Sequence, residues 1–182
     1  MTTLTPELAG TYTIDASHTR IGFVARHAMV TKVRGHFDDV AGTAVIDPAE
    51  PSASRVDLTI QVASVSTGNA DRDGHLRSGD FFDVETYPTI TFTSTDVARE
   101  GDEWTITGDL TIKDATRPVS ITFTEGGAAT DPFGNQRVGF EGSLVVNRKD
   151  WNLTWNAALE TGGVLVSEKV KLVFDVSAIK AA

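Results

Sequence analysis

Hydrophobic and polar residues alternate with a period of two along most of the chain, the pattern of strands that bury one face and expose the other. Val56, Leu58, Ile60 and Val62 are separated by Asp57, Thr59 and Gln61. Ile90 and Phe92 sit between threonines at 89, 91 and 93. Trp104, Ile106, Leu110 and Ile112 share one face, opposite Thr105, Thr107, Asp109 and Thr111. The same rhythm returns in Val119, Ile121 and Phe123, in Val138, Phe140, Leu144 and Val146, and in Val170, Leu172, Phe174 and Val176. With Ile21 to His27 and Gly35 to Ile46, the pattern predicts about eight strands, the number of a sandwich or a small barrel.

The connections predict antiparallel pairing. Glu100-Gly101-Asp102 and Asp131-Pro132-Phe133-Gly134-Asn135 are hairpin turns by composition. Most neighbours lack the helix-length spacer that a parallel crossover needs. One stretch breaks the rhythm, Ser66 to Pro88, which is charged and does not alternate. Asn69 suits a helix N-cap, Asp71 and Asp73 fall in the first turns, and Gly79 suits the position just past the end. A short helix is expected there, followed by a second turn from Asp80.

At 182 residues the chain is long enough for one core and short of two. Its 16 Lys and Arg against 25 Asp and Glu give a net charge of -9. Such a balance predicts no nucleic-acid partner and no general footprint for an anionic lipid surface, because both need clustered cations. The lack of cysteine removes disulfides, thiolate nucleophiles and cysteine-ligated metals. Residues 1–10 contain no Lys or Arg and no long apolar run, unlike a secretory signal. They read as a flexible leader before a single domain over 11–182. The expected compartment is cytoplasmic, and no membrane-spanning segment is expected.

Catalytic chemistry finds little support. His18, His27, His36 and His75 do not form the i, i+4 pair of a helical zinc site. Asp71, Asp73 and His75 point in different directions on a helix. There is no G-x-S-x-G elbow, no Walker A loop and no G-x-G-x-x-G. No catalytic residue, metal ligand or required cofactor is expected. Phe81-Phe82 beside Tyr87-Pro88 suits either a lid over a cavity or a plug of packing. Periodicity alone leaves open whether an eight-stranded barrel is filled by its own side chains or holds one small ligand.

An ordered set of motifs resembles the YceI-like, or polyisoprenoid-binding-like, family. It begins with Tyr12-x-Ile14-Asp15-x-Ser17-His18-x-x-Ile21-x-Phe23-x-x-Arg26-His27 and Gly35-x-Phe37. The most distinctive run is Arg72-Asp73-x-His75-Leu76-Arg77-Ser78-x-Asp80-Phe81-Phe82-Asp83 with Tyr87-Pro88-x-Ile90-x-Phe92-x-Ser94. Gly108-x-Leu110-Thr111-Ile112, Pro118-Val119, Asn147-Arg148-x-Asp150 and Val170-x-Leu172 follow in order. The resemblance implies an extended, lipocalin-like, mainly β antiparallel eight-stranded barrel with a short helix between strands. It further implies an apolar tunnel for a long isoprenoid chain, an isoprenoid quinone or a fatty-acid-like amphiphile, and assembly as a homodimer.

On that reading the tunnel wall, chosen by alternation, is Ile21, Phe23, Val56, Leu58, Ile60, Ile90, Phe92, Leu110, Ile112, Phe140 and Phe174. Phe81 and Phe82 are the expected lid, and His27, Arg72 and His75 the expected polar contacts near the ligand or its entrance. A rival reading makes the chain an enzyme on a lipophilic substrate, with His27 or His75 acting with Asp73 as acid and base.

Overall fold

The structure is a computed structural model that describes residues 3–160 and 162–182. Among the described residues eleven strands form: β1 Gly10–Ile14, β2 Arg20–His27, β3 Thr31–Phe37, β4 Val40–Ile46, β5 Arg55–Gln61, β6 Val65–Ser66, β7 Thr89–Glu100, β8 Glu103–Ile112, β9 Ala115–Thr130, β10 Gln136–Asn147 and β11 Lys169–Lys180. One α-helix, α1, spans Ala70–Arg77 between β6 and β7. Its cap is the expected one, since the Asn69 side chain accepts from the Arg72 amide at 3.0 Å.

Eight strands close a ring in the order β1, β4, β5, β7, β8, β9, β10, β11, and β11 returns to β1. All the pairings are antiparallel. β2, β3 and β6 continue from β11 as a side leaf. Along its edge away from β10, β11 therefore serves two partners: Ala178 to Lys180 pair with β1, while Lys171 to Asp175 pair with β2.

The alternation read from the sequence sets which face turns inward. Leu58, Phe92 and Leu110 form one cross-strand row, and Ile60 sits opposite Ile90 in the next. These side chains join a single core cluster, which is where the favourable burial of apolar surface is concentrated.

Two expectations need correction. Gly35 to Ile46 is not one strand, because the chain turns at Asp38-Asp39 and passes from the leaf into the barrel. The amides of Asp38 and Asp39 are taken up by Ser64, through its carbonyl and its hydroxyl. Residues 3–9 also do not stand away as a leader. Leu4 is 2% exposed and belongs to the core cluster, and Pro6–Leu8 forms a helical turn whose Leu8 carbonyl accepts from the Tyr12 hydroxyl. An apolar side chain at position 4 has a hole to fill at the barrel end. Residues 1 and 2 lie outside the described residues.

Candidate functional site

The barrel encloses a cavity of about 150 Å³ lined by residues from all eight ring strands and the leaf. Among its lining side chains, the only polar atoms belong to Ser54 and Trp104. The Ser54 hydroxyl accepts from the Asp47 amide, and the Trp104 indole donates to Glu125. The wall is thus almost wholly hydrocarbon, the kind of hole that stays dry.

Ten of the eleven wall residues proposed from alternation line the cavity: Ile21, Val56, Leu58, Ile60, Ile90, Phe92, Leu110, Ile112, Phe140 and Phe174. Phe23 does not. Its ring lies in the leaf, against Gly35 on the neighbouring strand and 5.9 Å from Phe37. The lining also includes Ala44, Val97 and Ala178, which alternation did not single out, and Trp104 and Phe123, which alternation placed on apolar faces but which were not among the expected wall residues.

Glycines help to set the bore. A Cβ on Gly108 would meet the Phe92 ring at 2.6 Å, and one on Gly142 would meet the Phe123 ring at 2.8 Å. Each ring can lie flat along the wall only because the neighbouring strand presents hydrogen there.

Both ends are covered. At the end marked by the β7–β8 hairpin, Glu125 faces inward with a side chain only 3% exposed. It accepts from the Trp104 indole at 2.6 Å, the Arg99 guanidinium at 2.6 Å and the Leu4 amide at 3.1 Å. Arg99 also donates to the carbonyls of Leu4, Pro48 and Gly101, and its guanidinium lies 5.0 Å from the Trp104 ring centre. The sequence reading missed this plug. Its signal was a carboxylate at position 125, on the inward register of Ile121 and Phe123.

The opposite end is covered by α1, residues 80–88 and residues 151–155. Phe81 is buried against Trp155 and His75, at ring distances of 5.3 and 5.0 Å, and Phe82 meets Phe37 edge-on at 6.0 Å. Neither phenylalanine lines the cavity, although Phe82 packs on Phe37, which does.

The polar residues singled out from sequence are not gathered around the cavity. Arg72 braces its own loop through the Thr67 hydroxyl and carbonyl, at 2.7 and 2.8 Å. Asp73 is buried and accepts from the Thr67 amide and hydroxyl. His75 Nε2 pairs with Asp80 at 2.8 Å, and His27 is exposed beside Val166. The acid–base set of the enzyme reading is thus dispersed over separate hydrogen-bond partners. Among the described residues, no cluster of three or more His, Asp or Glu is placed to hold a metal ion.

Two charged clasps fix the surrounding loops. Arg137 bridges Asp15 and Asp131, both at 2.7 Å. The Arg137 guanidinium and the Ser17 hydroxyl hold the Asp15 carboxyl far below its usual range. For Asp131, burial pushes upward but is outweighed by Arg137 and by the Asn135 and Phe133 amides, so its carboxyl is also far below range. Arg148 is buried and donates to the carbonyls of Leu153, Val166 and Ser167, tying residues 148–153 to residues 166–167. Burial lowers the Arg148 pKa, against the pull of Glu168.

A closed eight-stranded antiparallel barrel around a hydrocarbon-walled cavity places the chain in the class of small closed β-barrels. Within that class the comparison with known families is specific. Residues 12–178 match the YceI-like domain, and the chain belongs to that family. The Protein YceI of Salmonella newport is 38% identical over 175 residues, 95% of this chain and 88% of that protein. The crystal structure of Burkholderia cenocepacia BcnA is similar with a TM-score of 0.80 at 25% identity, covering 90% of this chain and 98% of that one. A polyisoprenoid binding domain from Saccharophagus degradans shares the fold, with a TM-score of 0.71 at 18% identity over 93% of this chain and 98% of that one. Among the described residues, no helix is long and apolar enough to cross a membrane.

Proposed function

We propose that this protein binds and carries the apolar chain of a lipid inside the barrel, an isoprenoid or isoprenoid-quinone tail, with no cofactor beyond the lipid it holds. The observation that carries this reading is the cavity wall, which is hydrocarbon apart from two polar side chains already bonded to the protein. A branched hydrocarbon asks for wall area and little else, at about 0.8 kcal/mol per buried CH₂. The structural relative described as a polyisoprenoid binding domain supports the choice of lipid.

The cavity of about 150 Å³ is smaller than a long tail needs. An engineered hole of about the same volume is filled by benzene, so a polyprenyl chain must turn aside the wall phenylalanines or displace an end cover. Native mass spectrometry of the purified protein, followed by organic extraction, tests the reading. A stoichiometric adduct that extracts as a polyprenyl lipid or quinone is expected. Ala44→Leu, which adds bulk to the lining, should lower the retained lipid severalfold. A ligand-free mass that persists after incubation with such lipids would overturn it.

A further inference from the structure

The outer face of β10, β11, β2 and β3 differs in chemistry from the rest of this acidic chain. Register sets one row across the four strands: Val145 opposite Lys171, Lys171 opposite Val24, and Val24 opposite Arg34. Nearer the β2–β3 turn, Arg26 stands directly opposite Lys32. Arg26, Lys32, Arg34, Lys169 and Lys171 line an open groove of about 460 Å³ that has no carboxylate in its lining. Like charges set opposite each other destabilise a sheet. Among the described residues, none of these five cations forms an ion pair within the protein. Of the acids nearby, Glu168 is paired with Lys149 at 2.7 Å and Asp38 with His36 at 2.9 Å, while Glu141 and Asp175 stand opposite each other farther along β10 and β11, outside the groove lining.

Apolar side chains sit among these cations. Of the five large hydrophobic residues exposed among the described ones, Val145 and Val173 lie on this face and Met29 and Val30 on the adjoining turn. The turn is held in place, since the Ala28 amide donates to the Leu165 carbonyl at 2.7 Å and Arg26 reaches the Val30 carbonyl.

We infer that this face docks on an anionic phospholipid bilayer, its cations on lipid phosphates and its exposed apolar side chains in the interface. A single-stranded nucleic acid would ask for aromatic platforms between the cations, and no aromatic residue lines the groove. The net charge of -9 averages over this patch. With a screening length of about 8 Å at physiological salt, carboxylates on the far side of the barrel contribute little at the contact. The inference rests on the composition of this face alone and does not use the contents of the barrel.

Flotation of the full chain with phosphatidylcholine vesicles, prepared with and without phosphatidylglycerol, tests it. Binding is expected only with phosphatidylglycerol and should fall as salt rises. Each neutralised cation is worth roughly fivefold at such a surface, so the double variant Arg34→Gln, Lys171→Gln should bind about 25-fold more weakly. The double variant Met29→Ser, Val30→Ser should weaken binding and leave the salt dependence in place. Melting curves check that both variants fold. No binding to either vesicle, equal binding to both, or undiminished binding by the folded glutamine variant would overturn the inference. Tighter binding to duplex DNA than to phosphatidylglycerol vesicles would reassign the face to nucleic acid. Retained lipid in the glutamine variant, read by extraction, separates failure here from failure of the carrier reading.

Discussion

The Trp104 indole donates to Glu125 Oε1 at 2.6 Å, and Glu125 Oε2 takes the backbone amide of Leu4 at 3.1 Å. A residue of the cavity wall and the N-terminal segment are thereby tied through one buried carboxylate, with Arg99 supplying the opposing charge. Removing one member of such a pair leaves the other charge buried and uncompensated.

Glu125→Ala should therefore lower stability by about 3–5 kcal/mol, read by denaturant unfolding. Glu125→Gln can still accept from Trp104 and should cost less. Equal stability of the alanine variant and the parent would mean that water replaces the carboxylate and that Leu4 is not held through it.

At Gly108, an added methyl would press on the Phe92 ring at 2.6 Å and on the Thr93 carbonyl at 2.5 Å. Overpacking of this kind costs about 1–3 kcal/mol. Gly108→Ala should show that loss in thermal unfolding and, with Phe92 pushed into the lumen, retain less extractable lipid. Parental lipid content in a destabilised Gly108→Ala variant would separate the bore from the packing.

Acid stability should depend on Arg137. Asp15 and Asp131 titrate in the folded protein far below the ordinary value of 3.8, both partnered by its guanidinium. A depressed folded-state pKa contributes stability above the unfolded value, and that contribution is lost as pH falls through the folded one. Arg137→Met should melt below the parent at neutral pH, and the gap should close as pH drops well below 3.8. A gap independent of pH would point to lost packing of the arginine stem rather than to the two carboxylates.

The strands were legible because one face of each is buried, which imposes the two-residue period on Leu58, Ile60, Ile90 and Phe92. Ten wall residues could be named for the same reason. Phe23 could not be separated from them, since β2 alternates like the barrel strands and its Ile21 lines the cavity, while Phe23, two residues on, packs against Gly35 and Phe37 in the leaf. Histidines and charges were harder to place. His75 and Arg72 fold onto their own neighbourhood, through Asp80 and Thr67, and short-range partners of this kind leave no period. The cationic face was hidden for a different reason. Arg34 and Lys171 lie far apart in the chain and meet in one row only through the pairing of β11 with β2 and of β2 with β3.

The shared strand β11 also fixes the order in which a growing chain can finish its fold. Ring closure joins Tyr12, Thr13 and Ile14 to Lys180, Ile179 and Ala178, far along the sequence. Pairings this distant in sequence slow folding and leave strand edges open in the meantime. During translation β1 and β10 must wait, unpaired on one side, until β11 leaves the ribosome. A chain that stopped before Ala178 would leave the whole barrel an open sheet, exposing edges of the kind that recruit other chains.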